Sequence, residues 1–204
     1  MVSAILLAAG QSKRMGESKQ LVRLGQSTIV EQAIDNLLSS AADEVIVVLG
    51  YKAKEVMKLI AARPVKLALN PDYRQGMSTS IIAGLNLIDN RTQAVMLALG
   101  DEPFIDSQTI NRLIAGFYNH EKGIVIPVNR GRPGHPVIFD IKYKGELLRL
   151  KGDIGGREII DRHTDDILEL AVECEGIYLD IDTVDSYHLE GNKPQIKIPG
   201  RNTA

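Results

Sequence analysis

The sequence predicts an α/β fold: a Rossmann-like, three-layer α/β/α arrangement with a mostly parallel sheet and a mixed or antiparallel C-terminal elaboration. Three observations carry this. Short apolar runs recur along the chain, and several are unbroken, as in strands covered on both faces. Segments with apolar residues at helical spacing lie between them through the first half, which requires crossover connections and parallel pairing. Beyond about residue 127 the strand-like pieces lie close together, separated by Gly/Pro turns.

Taken in order, the predicted strands are "SAILLAA", "EVIVVLG", "VKLALN", "AVMLALG", "GIVIPV", "HPVIF" and "GIYLDI". Between them, Ile29, Val30, Ala33, Ile34, Leu37 and Leu38 share one helical face, as do Ile81, Ile82, Leu85 and Ile88. Ile110, Leu113, Ile114 and Phe117 define a further helix. A chain of 204 residues buries a sizeable core, and we expect one domain over residues 1–190. The tail, 191–204, is polar and carries two prolines, so it is expected to be loosely held.

The net charge of −2 gives no global electrostatic case for nucleic acid or membrane as a partner, so any positive site must be local. Cys174 is the only cysteine, which excludes an internal disulfide and argues against a cysteine-built metal site. The apolar "AILLAAG" lacks a preceding basic stretch, unlike a secretion signal. No apolar run approaches the roughly 20 residues of a membrane helix. A cytoplasmic protein, monomeric by default, is the expectation.

In open α/β sheets ligands bind beyond the carboxyl ends of the strands, and unusual residues cluster there. Ala8, Ala9 and Gly10 end the first strand with almost no side chain, letting backbone amides approach a ligand. Arg14 and Lys19 follow with positive charge suited to a polyphosphate. The spacing is neither a Walker A motif, since Gln20 follows Lys19, nor a dinucleotide fingerprint. An ordinary solvated basic loop is the competing reading.

Asp101 closes "AVMLALG" and has the chemistry to hold Mg²⁺ beside substrate phosphates. Glu102 is either a second ligand or a solvent-facing neighbour. Asp180 and Asp182, in "LDIDT", alternate onto one side of the last predicted strand. Asp182 would then close on Asp101 to grip one metal, or else sit in a helix N-cap before "TVDSYHL". In "GMSTSIIAGL", Ser78, Thr79 and Ser80 either cap a helix or offer donors to a nucleotide, capping being the commoner use. His135 in "GRPGHP" is a candidate acceptor contact or a turn residue, and Asp153 and Arg157 lie in the glycine-lined "KGDIGGR".

Together these segments resemble the molybdenum cofactor cytidylyltransferase family of MobA-like NTP transferases. The signature L-A-A-G-x-S-x-R-M-G-x-x-K-x-L runs from Leu7 to Leu21 without departure. "NPDYRQGMSTSIIAGL", "LGDEPFI", "GRPGHPVIF", "LKGDIGGREII" and "LDIDTVDSY" follow in order, extending the resemblance to about residue 187. It implies Mg²⁺-dependent transfer of CMP from CTP to the terminal phosphate of molybdopterin, with release of pyrophosphate. Carried over by position, Leu7, Ala8, Ala9 and Gly10 would line the nucleotide, Arg14 would hold the β- and γ-phosphates, and Lys19 the α-phosphate. Gly76 and Ser80 would flank the base, and Asp101 and Asp182 would bind the metal. Arg14, Lys19 and Asp101 are thus the implied catalytic set, with His135, Asp153 and Arg157 on the acceptor side and a molybdoenzyme as a possible recipient. One departure is Glu102, where this branch often has glutamine. GTP or another NTP, a sugar or polyol phosphate acceptor, or a cofactor-delivering chaperone are the alternatives.

Overall fold

A computed structural model describes residues 1–12 and 18–179. The chain begins with β1 (Val2–Ala8), the small hairpin of β2 (Arg23–Leu24) and β3 (Ser27–Thr28), then α1 (Ile29–Leu38) and β4 (Glu44–Leu49). It continues through α2 (Ala53–Leu59), β5 (Lys66–Leu69), α3 (Met77–Leu85), β6 (Ala94–Leu99) and α4 (Ser107–Asn119). The remaining elements are β7 (Ile124–Asn129), β8 (Arg132–Pro133), β9 (Val137–Asp140), α5 (Lys144–Leu147), α6 (Arg157–Arg162) and β10 (Ile167–Ala171).

The main sheet runs β10-β7-β9-β6-β1-β4-β5, with β8 paired to β7. β5, β4, β1 and β6 are parallel neighbours, with Ala8 opposite Leu49 and Leu7 opposite Leu99. β9 runs antiparallel to both β6 and β7, and β10 is parallel to β7. The mostly parallel sheet with a mixed C-terminal part is therefore observed.

The unbroken apolar strands are explained by burial on both sides. Val2, Ala4, Leu6 and Ala8 of β1 face the layer of α1, α2 and α4, whereas Ile5 and Ala9 face α3 and the C-terminal helices. Each fully buried Ile or Leu contributes on the order of 1.5–3 kcal/mol relative to exposure. The helical stripes fall where the spacing places them: Ile29, Val30, Ala33, Ile34 and Leu37 are buried on α1, and Ile110, Leu113 and Ile114 on α4. A reciprocal capping box between Thr28 and Glu31 starts α1. On α3, Gly84 lets the helix lie directly on β1; a Cβ there would collide with Ile5 Cγ2. Among the described residues no helix is long and apolar enough to cross a membrane.

One strand expectation is corrected. The described part of "GIYLDI" is not a strand: Glu175–Tyr178 forms a 3-10 turn. Its groups are claimed by tertiary contacts instead. Ile177 O accepts from the His135 N–H at 2.7 Å, the Tyr178 hydroxyl donates to Asn129 Oδ1 at 3.0 Å, and Gly176 is wedged against Phe104 O. The edge position is taken by β10, "ILELA", whose partly exposed side chains give a weak apolar signal. Asp180 and Asp182, and the tail 191–204, lie outside the described residues.

A polar cluster ties β10 to the elaboration. Asp166 accepts from Gly123 N–H, from the Tyr143 hydroxyl and from the Lys142 ammonium. Burial alone would raise the Asp166 carboxyl, but Lys142, Tyr143 and Gly123 outweigh it and hold it at about 2. A carboxylate depressed in the folded state stabilises above its unfolded value, near 4, and loses that contribution as pH falls through 2. Asp166→Asn is therefore expected to be less stable than the parent above pH ~4 and to converge with it toward pH ~2. Urea midpoints measured across that range would show the two curves meeting; parallel curves would exclude the assignment.

Candidate active site

The carboxyl ends of β1 and β6 and the start of α3 enclose a cleft of about 470 Å³. Its walls follow from the small residues at the strand ends. Gly100 sits so close to β1 that its N–H donates to Leu7 O at 3.0 Å, and a Cβ would press Ala8 Cβ at 3.0 Å. Leu7, Ala9 and Gly10 line the cleft, while the Ala8 side chain belongs to the core on the α1 side. Gly10 has open space before it, leaving its backbone accessible.

The described ends of the loop after β1 are tied to each other. The Lys19 N–H donates to Ser12 Oγ at 3.0 Å, and Gln20 Nε2 donates to Gly10 O at 3.3 Å. Lys19 is only 7% exposed, and its ammonium meets Asp101 Oδ2 at 2.9 Å. A buried ammonium demands a counter-charge, and the carboxylate at the end of β6 supplies it. The two groups expected to serve phosphate and metal thus lie together at one end of the cleft. Arg14 lies outside the described residues.

At the other end, Gly76 precedes α3 with φ 117°, a conformation that favours glycine. A Cβ at Gly76 would overlap the Gly152 carbonyl carbon, so the loop of residues 150–156 packs directly on the helix start. The Ser78 N–H donates to Gly152 O at 3.1 Å, and the Met77 N–H donates to Asp153 Oδ1 at 3.0 Å. Hence Asp153, not Ser78, Thr79 or Ser80, satisfies the first amide of α3, and the capping expectation for these hydroxyls is corrected. Ser80 lines the cleft and is 5% exposed. Its Oγ accepts from Asn70 Nδ2 at 2.9 Å.

Of the three residues expected on the acceptor side, only Asp153 lines the cleft. His135 faces Glu102, with Nδ1 3.2 Å from Glu102 Oε1, and its own N–H is held by Ile177. Arg157 opens α6 with its side chain 84% exposed, 3.9 Å from Asp161. Glu102 is 5% exposed, so it is not the solvent-facing neighbour considered above; its side chain lies against the α1 side with Leu6, Asn36 and Pro136. Tyr73 and Arg74 also line the cleft, the guanidinium 5.7 Å from the Tyr73 ring centroid. Neither was singled out from sequence, although a cation two residues before Gly76 in "NPDYRQGM" was the available signal.

Among the described residues no group of three or more His, Cys, Asp or Glu side chains gathers to hold a metal alone. Mg²⁺ bound with nucleotide needs only one or two carboxylates, the phosphates and water completing its shell. Asp101 fits that demand: its carboxylate lines the cleft and already accommodates a cation, the Lys19 ammonium. Asp182, the second expected ligand, lies outside the described residues.

The family model described as the MobA-like NTP transferase domain matches residues 4–167. A molybdenum cofactor cytidylyltransferase from Escherichia coli strain K12 is 28% identical over 91% of this chain and 93% of its own. A nicotine blue oxidoreductase from Paenarthrobacter nicotinovorans is also 28% identical, over 92% and 95%. The solved structure of Rv0371c from Mycobacterium tuberculosis superposes with a TM-score of 0.84 at 30% identity, covering 92% of this chain and 95% of that one. A manganese complex of Rv0371c superposes at 0.80 with 28% identity, over 92% and 96%. With the signature, the strand-end cleft and the family match all in agreement, the chain belongs to the MobA-like NTP transferase family and is a nucleotidyltransferase.

Proposed function

We propose that the enzyme transfers CMP from CTP to the terminal phosphate of molybdopterin, with pyrophosphate as the second product and Mg²⁺ as the metal. The observation that carries this reading is the Lys19–Asp101 pair, 2.9 Å apart at one end of a cleft walled by small residues. A lysine and a carboxylate fit a triphosphate with its metal, whereas neither is needed to hold an uncharged ring. The equal identity to a cytidylyltransferase and to an oxidoreductase leaves the choice to this chemistry.

In this reading an oxygen of the acceptor phosphate attacks the α-phosphorus. The new P–O bond forms as the bond to the β-phosphate oxygen breaks, and the electron pair leaves with pyrophosphate. The acceptor is ionised at neutral pH, so no side-chain nucleophile is required. Lys19 neutralises charge growing on the α-phosphate, while Asp101 holds the metal, with Asp182 as its second ligand. The metal supplies charge neutralisation between the phosphates. Arg14, by its place in the signature, is assigned to the β- and γ-phosphates. Most of the rate enhancement is then positioning and electrostatic preorganisation.

The test is pyrophosphate release from the protein with Mg²⁺, molybdopterin and each NTP in turn. CTP is expected to give release, with molybdopterin cytosine dinucleotide as the other product. Release with GTP alone would reassign the base. Absence of release with every NTP would overturn the transfer reading in favour of delivery without chemistry.

A further inference from the structure

We infer, resting on the nucleotidyl-transfer reading above, that Arg132 is the contact for the acceptor's phosphate. Its place comes from topology. β9 runs antiparallel to both β6 and β7, so β6 and β7 point the same way and their carboxyl ends share one end of the sheet. Ligands gather beyond such ends. Asp101 follows β6, and the hairpin of β7 and β8 lies beyond β7. The loop after β8 returns to the residue beside Asp101, where His135 meets Glu102. The cleft itself opens from β6 towards β1 and α3. With a nucleotide there, the ground left beside Asp101 for a second substrate lies over β7 and the start of β9.

The hairpin holds a cation in that ground. Its turn, Arg130 and Gly131, has φ of 50° and 78°, the left-handed pair that suits a two-residue connection. Asn129 and Arg132 therefore face each other across β7 and β8. Asn129 is 4% exposed, and both ends of its amide are engaged. Nδ2 donates to Val172 O at 2.9 Å, and Oδ1 accepts from the Tyr178 hydroxyl at 3.0 Å. Tyr178 is pinned by that bond, and the Arg132 guanidinium lies 4.2 Å from its ring centroid. Stacking on a ring restrains a long side chain without using up its N–H donors, so less ordering is left to oppose binding.

The surrounding charges single out this arginine. Arg130 is paired with Glu175 at 3.0 Å, and Glu102 with His135 at 3.2 Å. Glu173 is exposed and makes no ion pair with either arginine of the hairpin. Among the described residues Arg132 meets neither a carboxylate nor another acceptor for its guanidinium. Of the cations lining the cleft, Lys19 is paired with Asp101, and Arg74 stands at the α3 end with Asp153, on the nucleotide's side. Arg132 is thus the cation left for an anion arriving over β7. Its planar fork matches two oxygens of a phosphate.

Calorimetric titration of the full chain with molybdopterin, beside steady-state transfer with CTP and Mg²⁺, tests this. Arg132→Ala should weaken molybdopterin binding and raise its KM about tenfold, the scale of a charged hydrogen bond. Binding of CTP should not change. Arg132→Lys, which keeps the charge without the fork, should recover part of the loss. Dephosphorylated molybdopterin should bind the parent and Arg132→Ala alike, because the contact removed is to the phosphate. Equal affinity of parent and Arg132→Ala for molybdopterin would overturn the inference. So would an equal loss for the dephosphorylated ligand, which is what mere packing of the arginine on Tyr178 predicts. If the parent binds molybdopterin but transfers no nucleotide, the transfer reading fails, and the binding comparison alone decides the Arg132 contact. If the parent binds no molybdopterin, the acceptor assignment fails and the contact with it.

Discussion

Asp101→Asn is expected to lower the rate of nucleotidyl transfer by at least about 10²–10³, the scale of removing one preorganised electrostatic group from a transition state. The substitution preserves volume, so the fold should persist. What it removes is the partner of the Lys19 ammonium and, under the proposed function, the charge that would serve a metal when nucleotide is present. Because Lys19 is nearly buried, its loss of a counter-charge should also lower the unfolding temperature modestly. Single-turnover transfer in saturating Mg²⁺, read beside a thermal melt, separates the two effects. A folded Asp101→Asn enzyme turning over at the parent rate would exclude Asp101 as a metal ligand.

The second large effect has two parts of opposite sign. Lys19→Met keeps the apolar stem and deletes the ammonium, so kcat/KM should fall by roughly 10²-fold or more, through lost stabilisation of the α-phosphate. The same change frees Asp101 from its cationic partner, 2.9 Å away. Binding of Mn²⁺ in the absence of nucleotide should therefore tighten, because metal and ammonium no longer compete for one carboxylate. Metal titration followed by electron paramagnetic resonance, alongside steady-state kinetics, checks both halves. Activity lost with unchanged metal affinity would mean that Lys19 acts on the nucleotide alone, and unchanged kcat/KM would return it to a structural role.

What could be read from sequence was local. Unbroken strands such as "EVIVVLG", and the buried stripe of Ile29, Ala33 and Leu37 on α1, follow from periodicity set by neighbours along the chain. Asp101 was legible because a carboxylate directly after an apolar strand has few structural uses. The rest depends on contacts between distant segments. The Asp153 side chain reaches Met77 across 76 residues of sequence, and no local pattern announces that. Likewise "GIYLDI" has the composition of a strand, but in its described part Ile177 O accepts from the His135 N–H and Gly176 packs against Phe104 O. Glu102 is hydrophilic by composition and buried by position, since His135 meets it from the loop beyond β8. The pairing of Asn70 with Thr79 and Ser80 belongs to the same class: it needs the end of β5 and the start of α3 to be known together.

The contact between Gly76 and Gly152 bears on how this scaffold can be recombined. Two backbones meet there with no side chain between them, and even a methyl group at Gly76 would overlap the facing carbonyl. One strand-end segment belongs to the parallel half of the sheet and the other to the elaboration, so main-chain contact sets their separation at this point, with the Asp153 side chain bonded to the Met77 N–H beside it. A chimera that imports residues 70–85 from a relative without the matching 150–156 would separate the helix start from its Asp153 cap and widen the cleft. Exchange of substrate preference between relatives must move both segments as one cassette.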